Sequence, residues 1–232
     1  MLSLFNLNMK NRFCISFLVI FSVLLFASCG DNGKVVSEGV IEFDAKVVDL
    51  SHPMASMAPT KMTFKFKDNF SIVEMSAGMG FLYTSFITNP EEKTLTQFVK
   101  MFGKKFAVIQ KVADLKIEND KYPLEFTSTN ETKVIAGYTC TKVHVKVKNE
   151  TNEEFDVFYT KEISIENSNF TNPYSEIDGV LMEYQMKKFG IEMRFTAKTV
   201  SKIEVGDDLF KFDKESKIIN QEEMDEMFLN MM

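Results

Sequence analysis

Hydrophobic and polar residues alternate with period two along most of the chain, most strictly between Thr139 and Tyr159. Thr141, Val143, Val145 and Val147 fall on one side, and Cys140, Lys142, His144, Lys146 and Lys148 on the other, which predicts a β-strand with one face buried. After the polar stretch 149–153 the alternation resumes, with Phe155, Val157 and Tyr159 on one side and Glu154 and Asp156 on the other. An antiparallel register that sets Val147 against Phe155 also sets Lys148 against Glu154 and Lys146 against Asp156, so both faces agree on one hairpin.

The same period recurs on both sides of this hairpin. Ile41, Phe43, Ala45 and Val47 alternate with Glu42, Asp44 and Lys46, and Met62, Phe64 and Phe66 alternate with lysines before Asp68-Asn69 turns the chain into a strand over 70–76. Further strands are predicted over 81–88, 94–101 and 106–111. The stretch 50–59 contains two prolines and reads as a loop, 112–130 is weakly patterned and reads as loop mixed with short extended pieces, and 161–176 reads as a polar, asparagine-rich excursion. Met182, Tyr184 and Met186 then alternate with Glu183 and Gln185, and Ile191, Met193, Phe195 and Ala197 run back after Gly190, which suits a left-handed turn position. Setting Met182 against Phe195 sets Glu183 against Arg194. The period changes only at the C-terminus, where Asn220 and Glu223 form a capping box ahead of Met224, Met227, Phe228 and Met231 at helical spacing.

Composition adds an address. The basic Met9-Lys10-Asn11-Arg12 and the apolar run 13–26 match a secretory signal, because such a run falls within the roughly 7–15 residues of a signal core and short of the ~20 that span a bilayer. The run ends in Leu25-Phe26-Ala27-Ser28-Cys29, which resembles the lipobox of bacterial lipoproteins. Residues 1–28 are therefore expected to be a lipoprotein signal, 29–38 a lipidated tether with Cys29 as the attachment site, and 39–232 one domain. An ordinary signal cleaved after Ser28 and an uncleaved N-terminal anchor helix are the alternatives. Of three cysteines, Cys14 leaves with the signal and Cys29 takes the lipid, so Cys140 has no partner for an intramolecular disulfide and the core must supply the stability.

The formal charge of −6 disfavours nucleic acid as a partner. Two histidines, His52 and His144, are the whole supply, and the chain contains no G-x-S-x-G, H-E-x-x-H, C-x-x-C or phosphate-loop motif, so no catalytic constellation and no cofactor are expected. His52, Met54, Met57, Met75 and Met79 offer copper(I) chemistry on paper, but a flexible apolar loop explains them without a metal. With 15 methionines, 23 phenylalanines and no tryptophan, the interior is soft and adaptable, which suits either a packed core or a cavity for a greasy ligand.

Three stretches, E-T-K-V-I-A-G-Y-T-C-T-K-V over 131–143, F-Y-T-K-E-I over 158–163 and I-D-G-V-L-M-E-Y over 177–184, resemble domain of unknown function 4412 and the related GLPGLI envelope proteins. The GLPGLI motif itself would fall near 177–181 and is not present as such. The resemblance implies a mainly β (α+β) fold, an open, curved antiparallel half-barrel similar to the LolA/LolB lipoprotein carriers. The strand pattern is consistent with about eight or more strands and a short C-terminal helix.

On this reading Phe64, Phe66, Phe155, Met182, Met193 and Phe195 present one apolar face. Met224, Met227 and Phe228 of the terminal helix, with the loop 50–59, are expected to cover it incompletely and leave a groove for an acyl chain, a lipid or a lipidated partner. The expected protein is a non-enzymatic, periplasm-facing lipoprotein of a Gram-negative envelope, anchored in the outer membrane because glycine rather than aspartate follows Cys29. The alternative is an envelope interaction module with a filled core, docking through an edge strand or the loop 161–176.

Overall fold

The computed structural model describes residues 35–148, 153–188 and 190–230. The expected signal, Cys29 and most of the expected tether lie outside them. Strands β1 (Glu38–Val47), β2 (Lys61–Lys67), β3 (Phe70–Ala77), β4 (Leu82–Asn89), β5 (Thr94–Met101) and β6 (Lys104–Lys111) form one meander of consecutive hairpins. Helix α1 (Val112–Asn119) leads to a second meander, β7 (Leu124–Ile135), β8 (Tyr138–Val147), β9 (Glu154–Thr160), β10 (Val180–Lys188) and β11 (Ile191–Ser201), followed by β12 (Lys217–Ile218) and helix α2 (Gln221–Leu229). All twelve strands join in one open, curved sheet of order β12-β6-β5-β4-β3-β2-β1-β11-β10-β9-β8-β7. Every pairing is antiparallel except that of β12 with β6.

Registers make the apolar positions continuous across this sheet. Ile41, Phe64, Val73, Phe86, Gln97 and Val108 form one row from β1 to β6, and Phe43, Met62, Met75, Thr84, Val99 and Phe106 form the next. Beyond β1 the same face carries Phe195, Ala197, Tyr184, Met182, Phe155 and Val145, all at 8% exposure or less.

Two registers differ from the sequence reading. Val145, not Val147, lies against Phe155, and Lys146 lies against Glu154. Likewise Tyr184, not Met182, lies against Phe195. Both differ by two residues, a displacement that leaves every side chain on its expected face, so alternation cannot detect it. Arg194 still reaches Glu183 diagonally.

The region 112–130 also differs from expectation. Residues 112–119 are helical and 124–135 form the long edge strand β7. Helix α1 buries Leu115 alone and so has no apolar stripe to read. Helix α2 starts as expected, with Asn220 Oδ1 accepting from the Glu223 N–H at 2.8 Å and Glu223 Oε2 accepting from the Asn220 N–H at 3.0 Å.

The largest correction concerns what covers the sheet. Residues 161–176, expected to be a polar, asparagine-rich excursion, bury Ile163, Ile165 and Tyr174 in the main core, and Ile177 joins them ahead of β10. Tyr174 packs its ring against Phe126 and Tyr184 and donates its hydroxyl to the Gln185 carbonyl. The buried Asn169 amide donates to the carbonyls of Ile177 and Gly179, which holds the cover in shape without regular structure. Gly179 permits the close approach: a Cβ there would lie 2.6 Å from the Tyr159 ring and 2.7 Å from the Thr160 carbonyl oxygen. The loop 50–59, by contrast, contributes only Ala58 to the margin of the core.

The face assignment of β8 makes a direct prediction. Val145 is fully buried and Lys146 is half-exposed beside Glu154. Val145→Asp should therefore cost several kcal/mol, because it buries a carboxylate, whereas Lys146→Asp should cost about 1 kcal/mol or less. Chemical denaturation of both variants checks this, and equal losses would overturn the facing.

Candidate functional site

The structure divides the expected ligand-binding residues between two cores. Phe66, Phe155, Met182, Met193 and Phe195 belong to the main core, with Phe64 packed at its margin. Met224 and Phe228, with Met227 at the margin, belong to a separate core where α2 covers Val99 and Val108 of β5 and β6. The terminal helix therefore plugs no groove against Met182 or Phe195. Strand order is the reason: β5 and β6 lie on the opposite side of β1 from β10 and β11.

Between the two cores the apolar face continues as a half-buried strip. It consists of Phe64, Val73, Met75 and Phe86, contributed by adjacent strands β2, β3 and β4. Phe64 stacks on the buried Phe66 at 5.8 Å, which anchors one side of the strip. On the other side Phe86 stands opposite Gln97, whose side chain is fully buried and whose amide oxygen and nitrogen make no hydrogen bond among the described residues. An uncompensated buried amide costs free energy, on the order of 1–3 kcal/mol. The strip thus offers half-exposed apolar area with a buried amide beneath its far end. Val73, Phe86 and Gln97 were not singled out in the sequence, because alternation places them on a face without saying which part of it is left open.

A concavity lies on the other face. A cleft of about 550 Å³ is lined by Phe81, Tyr83, Phe98, Phe102 and Lys105, with Asp213 at its side. Segment 207–213 crosses this face, held by Lys67 on Asp207 at 2.7 Å, Phe70 on Phe210 at 5.9 Å and Lys105 on Asp213 at 2.9 Å.

The partly buried carboxylates Glu183 and Glu192 belong to one side-chain network. Glu183 accepts from Lys133 at 2.7 Å and from Arg194. Burial works against its charge, but the two cations outweigh that and hold its carboxyl below the ordinary range. Gln185 links Arg194 to Glu192 at 3.1 and 3.0 Å. Burial, reinforced by Glu153, pushes the Glu192 carboxyl up. Oppositely shifted carboxylates can mark an acid–base pair, yet here every member is bonded to another and the network ties β7, β10 and β11 together. Cys140 is buried, and burial pushes its thiol up to about 11, the opposite of a reactive thiolate. His52 accepts from the Met54 N–H at 3.2 Å. No group of three His, Cys, Asp or Glu side chains suited to a metal exists among the described residues, and no helix among them is long and apolar enough to cross a membrane.

No protein-family model matches the chain, and no curated protein matches it either. The resemblance to domain of unknown function 4412 and GLPGLI therefore rests on the quoted motifs alone. Among solved structures the chain is similar to the Mycobacterium tuberculosis lipoprotein LppX, at 11% identity over 82% of this chain and 98% of that one, with a TM-score of 0.36. It is also similar to MucB, at 9% identity and a TM-score of 0.32, over 80% of this chain and 61% of that one. This chain thus spans about three fifths of the length of MucB. Likenesses at this level carry no argument about what the present chain binds.

His144 supplies a pH test of the surface. Its Nδ1 lies 3.0 Å from Asp156 and its Nε2 3.4 Å from Glu154, and the hydrogen bond to Asp156 is the main cause of a raised pKa. The imidazolium therefore stabilises the fold fully below the unfolded value of about 6.5, and the contribution is lost as pH rises through the higher folded value. His144→Gln should lower the melting temperature more at about pH 5.5 than at about pH 8.5. The same loss at both values would show that the two carboxylates do not hold the charged form.

Proposed function

We propose that this protein is a non-enzymatic, lipid-anchored envelope protein that holds a hydrophobic ligand, an acyl chain, a lipid or a lipidated partner, on the strip Phe64, Val73, Met75 and Phe86. One observation carries the reading: two separate covers, residues 161–179 and α2, protect the flanks of one apolar face, while the strip between them stays half-buried and ends on the unpartnered amide of Gln97. Such a site needs apolar area and no acid–base chemistry, in keeping with the engaged His144 and the buried Cys140. Lipidation of Cys29, the outer membrane of a Gram-negative cell and membership of the 4412/GLPGLI group belong to the same proposal, motivated by the lipobox and the quoted motifs.

A second reading is an interaction module with a filled core. It is favoured by the near-complete burial of Phe66, Phe155, Met182, Met193 and Phe195.

Titration of a form beginning at Gly30 with a fluorescent fatty acid separates the two. Saturable binding that Phe86→Glu weakens about tenfold or more, with the melting temperature little changed, is the expected result, since a charge on an apolar contact surface removes the favourable transfer. Absence of binding by the folded protein would give the second reading first place. The anchor is checked on its own: mass spectrometry of the cell-derived protein should find Cys29 as the N-terminal residue, carrying acyl mass. A mature N-terminus at any other residue would sink that part.

A further inference from the structure

Three exposed large apolar side chains gather at one end of the β3–β6 wing, whereas Leu50, Ile117 and Val134, also exposed, lie apart from one another. Met79 is 98% exposed, Phe102 73% and Phe81 61%. Gly78-Met79-Gly80 connects β3 to β4, and Phe102-Gly103 connects β5 to β6. Because β4 pairs with β5, with Leu82 opposite Met101, the two turns lie side by side and the rings of Phe81 and Phe102 stand 6.2 Å apart. None of the three side chains belongs to either core.

Their backbone makes the placement more informative. Met79 and Phe102 have φ of 55° and 49°, in the left-handed region. Tight turns with this conformation select Asn, Asp or Gly, because a bulky side chain is disfavoured there. The chain follows that rule between β2 and β3, where Asp68 and Asn69 have φ of 49° and 71°. At the two neighbouring turns it instead holds large apolar residues in an unfavourable conformation and presents them to solvent. Such conformations are held by the surrounding structure and cluster at functional sites; Lys93 and Ala136 share them at other turns, with φ of 53° and 50°, but carry no large apolar side chain.

Charge identifies the surface they meet. The stretches 78–81 and 100–105 contain three lysines and no carboxylate, in a chain of formal charge −6. Lys105 is paired with Asp213 and Glu215. Lys100 and Lys104 are exposed and, among the described residues, make no ion pair. Apolar side chains at the tip of a rigid turn, with unpaired cations set behind them, match the layering of an anionic lipid surface. The apolar groups enter the acyl boundary and the ammonium groups meet the headgroup phosphates. We propose that this end of the sheet is a lipid-docking tip, in which Met79, Phe81 and Phe102 insert into an anionic membrane and Lys100 and Lys104 hold the headgroups. The proposal goes beyond ligand binding on the strip and depends neither on that site nor on Cys29.

The absence of tryptophan makes the test direct, because one introduced tryptophan reports alone. The full-length protein purified from cells is mixed with vesicles of phosphatidylglycerol and phosphatidylethanolamine carrying brominated acyl chains. Phe102→Trp should show a blue-shifted emission that the bromines quench about twofold or more, as expected for a side chain at the acyl boundary. Val134→Trp, at an exposed position on the far edge strand β7, should show neither effect. Adding Lys100→Glu and Lys104→Glu to Phe102→Trp should abolish most of the quenching. Phe81→Trp supplies a second reporter should tryptophan at 102 disturb its turn. Absence of quenching at both tip positions, or equal quenching at 134, overturns the proposal. So does quenching that is indifferent to the two lysines. A blue shift without vesicles that grows with protein concentration would assign the tip to a second copy of the chain instead.

Discussion

The antiparallel pairing of β1 with β11 is the contact on which the rest of the molecule depends. Apart from the short parallel pairing of β12 with β6, each half of the sheet is a meander whose neighbours in space are neighbours in sequence, with the cover 161–179 inserted between β9 and β10. Pairings of that kind close short loops and form at little entropic cost. The β1–β11 pairing is different, because it joins Val40 to Ser201 and Val47 to Met193 across most of the chain. It accommodates an irregularity between Glu42 and Phe43, so that Phe43 meets Ala197 and Ala45 meets Phe195. With it the apolar rows of the two meanders become one face, and without it each half would expose a sheet face with no second layer.

That single face is then covered from two directions. The cover over β8–β11 is made by residues 161–179, which achieve burial through four large side chains and a buried asparagine instead of a helix. Its Glu166 N–H also reaches Asn69 Oδ1 at 2.8 Å, so the cover is fastened across β1 to the β2–β3 turn. The cover over β5 and β6 is α2, seated by Met224 and Phe228. Two covers of independent origin need not meet, and the half-buried strip of Phe64, Val73, Met75 and Phe86 is where they do not. The candidate ligand site is thus a consequence of how the sheet was assembled, not of any one motif.

Electrostatics divides the molecule along the same axis. The β7–β11 half carries a connected network of Lys133, Glu183, Arg194, Gln185 and Glu192, together with the surface group around His144. These groups are spent on one another and rigidify the half that holds the main core. The β3–β6 wing ends instead in exposed aromatic rings beside Lys100 and Lys104, which make no ion pair among the described residues. A partner that is apolar inside and anionic outside is the complement of that end, whereas the acidic remainder of the chain would be repelled from the same surface.

Much of the architecture was legible in the sequence. Alternation named the buried face of Ile41–Val47, Met62–Phe66, Val143–Val147 and Met182–Met186, and local chemistry identified the Asp68-Asn69 turn, the Gly190 turn and the Asn220 cap. These are properties of a few neighbouring residues and are encoded where they occur. Helix α1 was illegible because it buries one residue, and the cover 161–179 because its four buried side chains follow no period among polar neighbours. Exact registers escaped because a two-residue shift leaves every face unchanged. What tertiary structure alone decided was which apolar residues meet. Met182 and Met224 are both inward-facing methionines, yet one lies in the main core and the other, on α2, in the separate core of the far wing, and the β1–β11 seam determines that separation. The open strip follows for the same reason: alternation states that a side chain faces inward, but whether anything stands above it depends on residues distant in the chain.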